Sequence, residues 1–139
     1  MDNILVIDDD LQVLDSIRSF LQHVGYEVVT ASSGQEGSGL IDSGYEYDLV
    51  ITDIRMPGMS GNDLAKYIRN SEWAHMPIIA ITGYHDDVDQ ELFDSILQKP
   101  FELKTLSEKI KTLIMKKEGS HITNEAKKNI DLNSAFAEQ

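Results

Sequence analysis

The sequence predicts an α/β fold in which a five-stranded parallel sheet is covered by helices on both faces. The first observation is that short apolar runs, such as ILVI at residues 4–7, lack the alternation of a half-exposed strand. Such runs indicate strands that are buried on both faces. The second observation is that these runs alternate with segments whose apolar residues recur at helical spacing. Right-handed crossovers between parallel strands then produce an open sheet with helices on both sides.

The elements are predicted in a regular order along the chain. A first helix covers about residues 13–24, because apolar residues recur there at helical spacing and Gly25 follows where a C-terminal cap would fall. The later helical patterns lie near residues 34–43, from about Ser60, in a short polar stretch at 85–94, and from Leu103 to Ile114. The strands after the first are predicted at residues 27–30, 49–53, 77–82 and 95–100.

Composition limits the classes of function. The chain has 139 residues, close to the usual size of one domain, and a net charge of −12. That charge argues against a surface for nucleic acid or for an anionic membrane. The absence of cysteine excludes disulfides and thiolate metal sites. The first residues lack the charged start and the long apolar run of an export signal, so we expect a cytoplasmic protein.

Charged and hydroxyl residues stand at the carboxyl ends of the predicted strands. Asp8 and Asp9 follow the first strand, and Asp53 ends the third. Thr82 ends the fourth strand, and Lys99 lies at the end of the fifth. In such sheets ligands bind outside the carboxyl ends of the strands, where the strand order reverses. A flavodoxin-like order of 2-1-3-4-5 makes strands one and three neighbours, which brings the three aspartates together.

Clustered carboxylates predict a bound cation. Carboxylates that lie close together repel, so the cluster persists only if protons are retained or a cation is bound. Mg²⁺ suits best, because it needs few protein carboxylates and commonly bridges to phosphate oxygens. A lysine and a hydroxyl beside the metal neutralise the phosphoryl oxygens while a carboxylate attacks in line. The residues therefore predict a phosphoryl-transfer site in which Asp53 is the nucleophile.

Four short motifs occur in one order between residue 3 and about residue 115. They are VIDDD after the first strand, DLVITDIRMPGMSG around Asp53, IIAITG, and KPF. A pair such as DD or KP arises often by chance, but the ordered set with this spacing is highly specific. On these motifs the sequence resembles the receiver domain of bacterial two-component response regulators. The resemblance implies a receiver domain over residues 1–115, followed by an extension at 116–139 with no output domain.

The resemblance implies a role for each matched residue. Asp53 would accept a phosphoryl group from phosphohistidine on a sensor histidine kinase or a phosphotransfer protein. Mg²⁺ would be bound by Asp9 and Asp53, by Asp8 through water, and by the backbone carbonyl of Arg55. The chain would then not be an enzyme with a separate substrate, since it would catalyse only its own phosphorylation and dephosphorylation. It would signal through altered protein–protein contacts. A homodimer is left as an alternative to a monomer.

The remaining matched residues surround the phosphoryl group. By the resemblance, Thr82 would turn its hydroxyl toward that group and Lys99 would pair with it, while Gly83 would leave it room. The peptide bond between Lys99 and Pro100 is expected to be cis. Asp10 is instead expected to be an acidic residue of the first helical turn that faces the helix dipole.

Two departures from the family concern the fifth strand and the fourth helix. Ile96 stands where receivers usually carry an aromatic residue that swings inward. The stretch from Thr82 to Lys99 is about five residues shorter than expected, which removes roughly 7 Å of helix. The fourth helix should therefore be short, irregular or mobile. Because few apolar residues hold residues 83–95, we expect signalling to use rearrangement of this stretch or another face.

Other residues are assigned structural roles. The histidines show no metal-ligand spacing and are expected at the surface or in ordinary packing: His23, His75, His85 and His121. Trp73 is interpreted as a packing or contact residue, and HDDVDQE at residues 85–91 as a solvated acidic face. The tail from Lys116 is predicted to be helical and packed on its own domain or a neighbour, through Ile122, Ala126 and Ile130.

Two other functions compete with the phosphoacceptor. The DDD run after an apolar strand also fits haloacid-dehalogenase-like phosphatases, in which Asp8 would be the nucleophile. That reading needs a Gly-Thr-like turn, whereas Leu11 and Gln12 follow the run, and it leaves Asp53 unexplained. The second alternative is a pure interaction module with incidental phosphorylation, and the complete set of site residues argues against it.

Overall fold

The computed structural model describes residues 2–83 and 86–130, with side chains as far as Lys117. In this part, five parallel strands form one sheet in the order β2-β1-β3-β4-β5, which confirms the predicted order. The strands are β1 (Asn3–Ile7), β2 (Glu27–Ala31), β3 (Leu49–Asp53), β4 (Ile78–Thr82) and β5 (Ser95–Gln98). The described α-helices are α1 (Leu11–Val24), α2 (Gly34–Asp42), α3 (Gly61–Arg69) and α4 (Leu103–Ile130).

The sheet separates two apolar layers, as the continuous apolar runs predicted. In β1, Ile4 and Val6 contact the layer beneath α1 and α4, whereas Leu5 and Ile7 contact the layer beneath α2 and α3. Every residue of β3 and β4 is buried, because these strands lie inside the sheet and are covered on both faces. The sheet is therefore a rigid platform for the residues at the carboxyl ends of its strands.

Helix α1 is fixed at both ends by short-range contacts. Asp10 is the N-cap residue, and its carboxylate accepts hydrogen bonds from the N–H groups of Gln12 and Val13. Asp10 therefore faces the positive end of the helix, as expected, but it is the N-cap residue and not a residue of the first turn. Gly25 ends the helix in the left-handed conformation with φ 119°, where a residue with a Cβ is strained. The predicted C-terminal cap is confirmed.

The fourth helix is reduced to a single 3₁₀ turn at Gln90–Leu92. The short or irregular element that the sequence predicted is thus found, and the helix expected to be fifth is α4. Helix α4 continues without a break to Ile130. The side chains of Ile122, Ala126 and Ile130 lie outside the described part, as do residues 131–139, so the packing of the tail stays a prediction. No helix among the described residues is long and apolar enough to cross a membrane.

Polar contacts from α3 hold the shortened connection in place. The Arg69 guanidinium donates from Nε to the carbonyl of Leu92 at 3.1 Å and from Nη2 to Asp94 at 2.9 Å. Its Nη1 donates to the carbonyls of Ala74 and Met76 at 2.9 and 2.6 Å. The expectation that little holds residues 83–95 considered only apolar residues, and it missed this side chain.

Candidate functional site

Three carboxylates meet at the carboxyl ends of β1 and β3. Asp8 and Asp9 follow β1, and Asp53 ends β3, which pairs directly with β1. One carboxylate oxygen from each residue lies within 4.8 Å of the others. Asp8 and Asp53 are buried, whereas Asp9 is exposed to solvent. The structure therefore brings together the aspartates that the strand-end argument predicted to converge.

The Lys99 ammonium points into this cluster. Its Nζ lies 3.2 Å from Asp53 Oδ1 and 3.9 Å from Asp8 Oδ2. The backbone N–H of Lys99 donates to the carbonyl of Thr82 at 2.7 Å, which joins the ends of β4 and β5 beside the carboxylates. The peptide bond between Lys99 and Pro100 is cis, as the resemblance implied.

The donor set fits a hard divalent cation such as Mg²⁺. Oδ1 of Asp8 accepts the Asp10 N–H at 2.9 Å, but its buried Oδ2 has no hydrogen-bond partner among the described residues. A buried carboxylate oxygen without a partner is costly, and a cation beside it would remove that cost. The ligands are all oxygens, which is the set that Mg²⁺ prefers. Asp8, Asp9 and Asp53 would hold the ion. The backbone carbonyl of Arg55, two residues past Asp53, stays a predicted ligand.

The charges of the site perturb one another. Burial raises the pKa of Asp8 to about 6. The negative charges of Asp53 and Asp9 also act to raise this pKa, whereas the hydrogen bond from the Asp10 N–H and the charge of Lys99 act to lower it. Burial also raises the pKa of Asp53, although the Lys99 ammonium opposes this. Partial burial acts to lower the pKa of Lys99, but the charges of Asp53 and Asp8 outweigh it and raise that pKa. The charged forms of Asp8 and Asp53 are thus destabilised when no metal ion is bound.

The raised pKa of Asp8 makes the stability of the metal-free protein depend on pH. Because the folded-state pKa of about 6 lies above the ordinary value of 3.8, the folded protein loses stability as pH rises from about 4 to about 7. Asp8→Asn should therefore increase the unfolding free energy by roughly 1–3 kcal/mol at pH 7.5 and by about a third as much at pH 4.5.

Urea unfolding in the presence of a chelator at both pH values measures this difference. Asp87→Asn is the matched control, since Asp87 is exposed and lies in the shortened connection. An equal gain for Asp8→Asn at pH 4.5 and 7.5 would contradict the explanation from charge.

Thr82 and Gly83 lie at the carboxyl end of β4, beside the strand of Asp53. Thr82 is buried at the last position of β4, which pairs with β3 so that Ile81 lies opposite Asp53. The N–H of Gly83 donates to Oδ2 of Asp86 at 2.5 Å. The room that Gly83 is expected to leave for a phosphoryl group stays a prediction.

Asp86 corrects the interpretation of residues 85–91 as a solvated acidic face. Its side chain is only 8% exposed, and its Oδ1 lies 3.3 Å from Nε of Arg55. The sequence offered no signal for this contact, because Asp86, Asp87 and Asp89 lie close together and have the same chemistry. Asp87 and Asp89 are exposed, as expected.

Gly61 lets α3 start directly against the end of β3, the strand that carries Asp53. Its N–H donates to the carbonyl of Ile54 at 2.8 Å. A Cβ at this position would fall on the carbonyl oxygen of Asp53 and 2.9 Å from the Cα of Ile54. Ser60 caps the helix by accepting the Asp63 N–H at 3.1 Å, and Asp63 accepts the Ser60 N–H at 3.0 Å.

The remaining predicted residues stay outside the site. Among the described residues, the aspartate cluster is the one group suited to a metal, and neither His23 nor His75 joins it. His85 and the side chain of His121 lie outside the described part. Trp73 is partly buried against the layer beneath α2 and α3, which agrees with its interpretation as a packing residue.

Comparison with known proteins identifies relatives over most of the chain. Residues 4–111 match the response regulator receiver domain family. The uncharacterized transcriptional regulatory protein YcbL of Bacillus subtilis is 32% identical over 115 residues, which cover 79% of this chain and 50% of that protein. The transcriptional regulatory protein CrdR of Helicobacter pylori is 33% identical over 113 residues, covering 78% and 53%. The chain thus spans about half the length of these curated relatives.

Solved structures agree with the sequence comparison. A response regulator receiver domain protein from Clostridium thermocellum has a TM-score of 0.78 and 37% identity, covering 85% of this chain and 98% of that one. The response regulator TrrA from Thermotoga maritima, in complex with Mg²⁺–BeF, has a TM-score of 0.74 and 39% identity, covering 81% and 99%. These matches do not favour the phosphatase alternative. The chain belongs to the response regulator receiver domain family.

Proposed function

We propose that the protein accepts a phosphoryl group on Asp53 from a histidine kinase or a histidine phosphotransfer protein. The observation that carries the proposal is the Lys99 ammonium 3.2 Å from Asp53, beside a cluster of three carboxylates. A structural ion pair alone does not need two further carboxylates, one of which keeps a buried oxygen without a partner among the described residues. A phosphoryl site with a divalent cation accounts for both features.

The transfer uses the residues at the strand ends. A carboxylate oxygen of Asp53 attacks the phosphorus of phosphohistidine, a P–O bond forms, and the P–N bond breaks as the imidazole leaves. Lys99 stabilises the negative charge on the phosphoryl oxygens, and Thr82 offers its hydroxyl to one of them. When bound, Mg²⁺ supplies further charge neutralisation on the same oxygens. The product is an acyl phosphate on the protein itself, so no separate substrate is turned over.

The proposed output is a change of protein contacts. Phosphorylation replaces the single charge of the Asp53 carboxylate with the roughly −1.5 to −2 charges of a phosphoryl group, in a site that is already crowded with carboxylates, which suits a switch. The relatives YcbL and CrdR are transcriptional regulators by name, so we propose that the signal reaches a regulator of transcription through protein contact. The net charge of −12 argues that this chain does not itself bind DNA. Because the proposed phosphoryl donor is a histidine kinase or a phosphotransfer protein, we propose a cytoplasmic location for the protein.

Phosphorylation by acetyl phosphate with Mg²⁺ tests the proposal. The wild-type protein should gain the mass of one phosphoryl group, and borohydride reduction of the acyl phosphate followed by peptide mapping should place it on Asp53. Asp53→Asn should remain unlabelled, whereas the exposed control Asp89→Asn should be labelled as the wild type. A label on Asp8 would support the phosphatase alternative, and a labelled Asp53→Asn protein would exclude Asp53 as the acceptor.

A further inference from the structure

The groups that hold the Asp86 carboxylate are those that favour a phosphoryl oxygen. Oδ2 of Asp86 accepts the Gly83 N–H at 2.5 Å, and Oδ1 lies 3.3 Å from Nε of Arg55. The charge of Asp86 is also among those that raise the pKa of Lys99, whose ammonium contacts Asp53. A backbone N–H, a guanidinium and a nearby ammonium therefore surround one carboxylate at the end of β4.

A phosphoryl group on Asp53 would compete for the same donors. It carries three strongly accepting oxygens and needs hydrogen-bond donors and cations arranged around them. Gly83 lies one residue beyond Thr82, just past the end of the strand that pairs with the strand of Asp53. One N–H cannot serve two anions fully, and the anions repel each other. Phosphorylation and the present contacts of Asp86 therefore oppose each other.

We propose that Asp86 is a positioning residue that holds the phosphoryl-binding donors in the unphosphorylated protein and is displaced when Asp53 is phosphorylated. The inference rests on the proposed function of Asp53. Asp86 occupies the Gly83 N–H and neutralises Arg55, so it stabilises the unphosphorylated state. It thereby slows phosphorylation and couples it to movement of the chain that follows β4.

Asn62 gives that movement a route to α3. Its Nδ2 donates to the carbonyl of Asp87 at 2.7 Å, and its Oδ1 accepts the Asp89 N–H at 3.0 Å. Asn62 is the second residue of α3, and the helix starts against the carbonyl of Asp53. Displacement of Asp86 thus pulls on a segment that is hydrogen-bonded to α3. Movement of Asp86 would thus take the role of the aromatic residue that Ile96 replaces.

Binding of beryllofluoride, a phosphoryl mimic, with Mg²⁺ tests the proposal. Asp86→Ala should bind it roughly 3- to 10-fold more tightly than the wild type, because the donors are already free. Asp86→Asn keeps an acceptor for the Gly83 N–H but loses the charge, so its affinity should be intermediate. Asp87→Ala removes the same charge one residue away and should resemble the wild type. Calorimetric titration measures each affinity.

The outcomes separate the two proposals. If the wild type binds beryllofluoride but Asp86→Ala binds no more tightly than Asp87→Ala, Asp86 has no such role and the inference is wrong. If neither the wild type nor any variant binds beryllofluoride, the proposed function fails instead. Hydrogen exchange adds a structural readout, since beryllofluoride should increase exchange at residues 86–92 of the wild type. In Asp86→Ala that exchange should already be high before the mimic is added.

Discussion

Lys99→Met is expected to slow phosphorylation of Asp53 by acetyl phosphate by about 10²- to 10³-fold, which is the usual loss when one group that stabilises transition-state charge is removed. The Lys99 ammonium contacts Asp53 at 3.2 Å, so it lies where the phosphoryl oxygens arrive. Methionine keeps an unbranched side chain of similar length but removes the charge. Initial rates of acyl phosphate formation measure the effect.

The affinity for Mg²⁺ distinguishes this role from a general loss of structure. The ammonium of Lys99 lies among the carboxylates that would bind the ion, so removing it should strengthen Mg²⁺ binding while phosphorylation becomes slower. Lys104→Met is the matched control, because Lys104 is exposed and joins no ion pair among the described side chains. A Lys99→Met protein that is phosphorylated as fast as this control would remove Lys99 from the mechanism.

Gly61→Ala is expected to reduce the unfolding free energy by about 2–4 kcal/mol, at the upper end for overpacking of a buried position. The added Cβ would collide with the carbonyl of Asp53 and the Cα of Ile54. Both partners are backbone atoms of a buried strand and its exit, so they cannot move aside as a flexible side chain does. Urea unfolding of the metal-free protein measures the change.

Gly39→Ala provides the comparison for this prediction. Gly39 lies in α2, and a Cβ there would meet nothing within 4 Å. Because alanine has the higher helix propensity, this substitution should stabilise the protein by roughly 0.5–1 kcal/mol. If Gly61→Ala proves equally harmless, α3 can shift away from β3, and the close approach at Asp53 is not needed for stability.

The sheet and the aspartate cluster could be predicted because their signals are local or follow from topology. The apolar run in β1 indicates burial on both faces, and Gly25 marks the end of α1 by its own conformational preference. Convergence of Asp8 and Asp53 needs only the strand order, since parallel strands place their carboxyl ends at the same edge. None of these inferences depends on the path of a loop.

The contacts of Asp86 and Arg69 could not be predicted in this way. The direction in which Asp86 points depends on where the chain turns after β4, and its neighbours in sequence have the same chemistry. Arg69 sits in the last turn of α3, where a basic residue is already favoured by the helix dipole. Its partner Leu92 is distant in sequence, and its partners Ala74 and Met76 lie in the loop after α3, so these contacts become visible only when the loops are in place.

Arg69 has a consequence for how such a chain can vary among relatives. One guanidinium joins the end of α3, the loop before β4 and the connection to β5. The shortened connection between β4 and β5 thus depends on the arginine at this position for these contacts. We expect residue identity at position 69 and the length of the β4–β5 connection to be inherited as a pair.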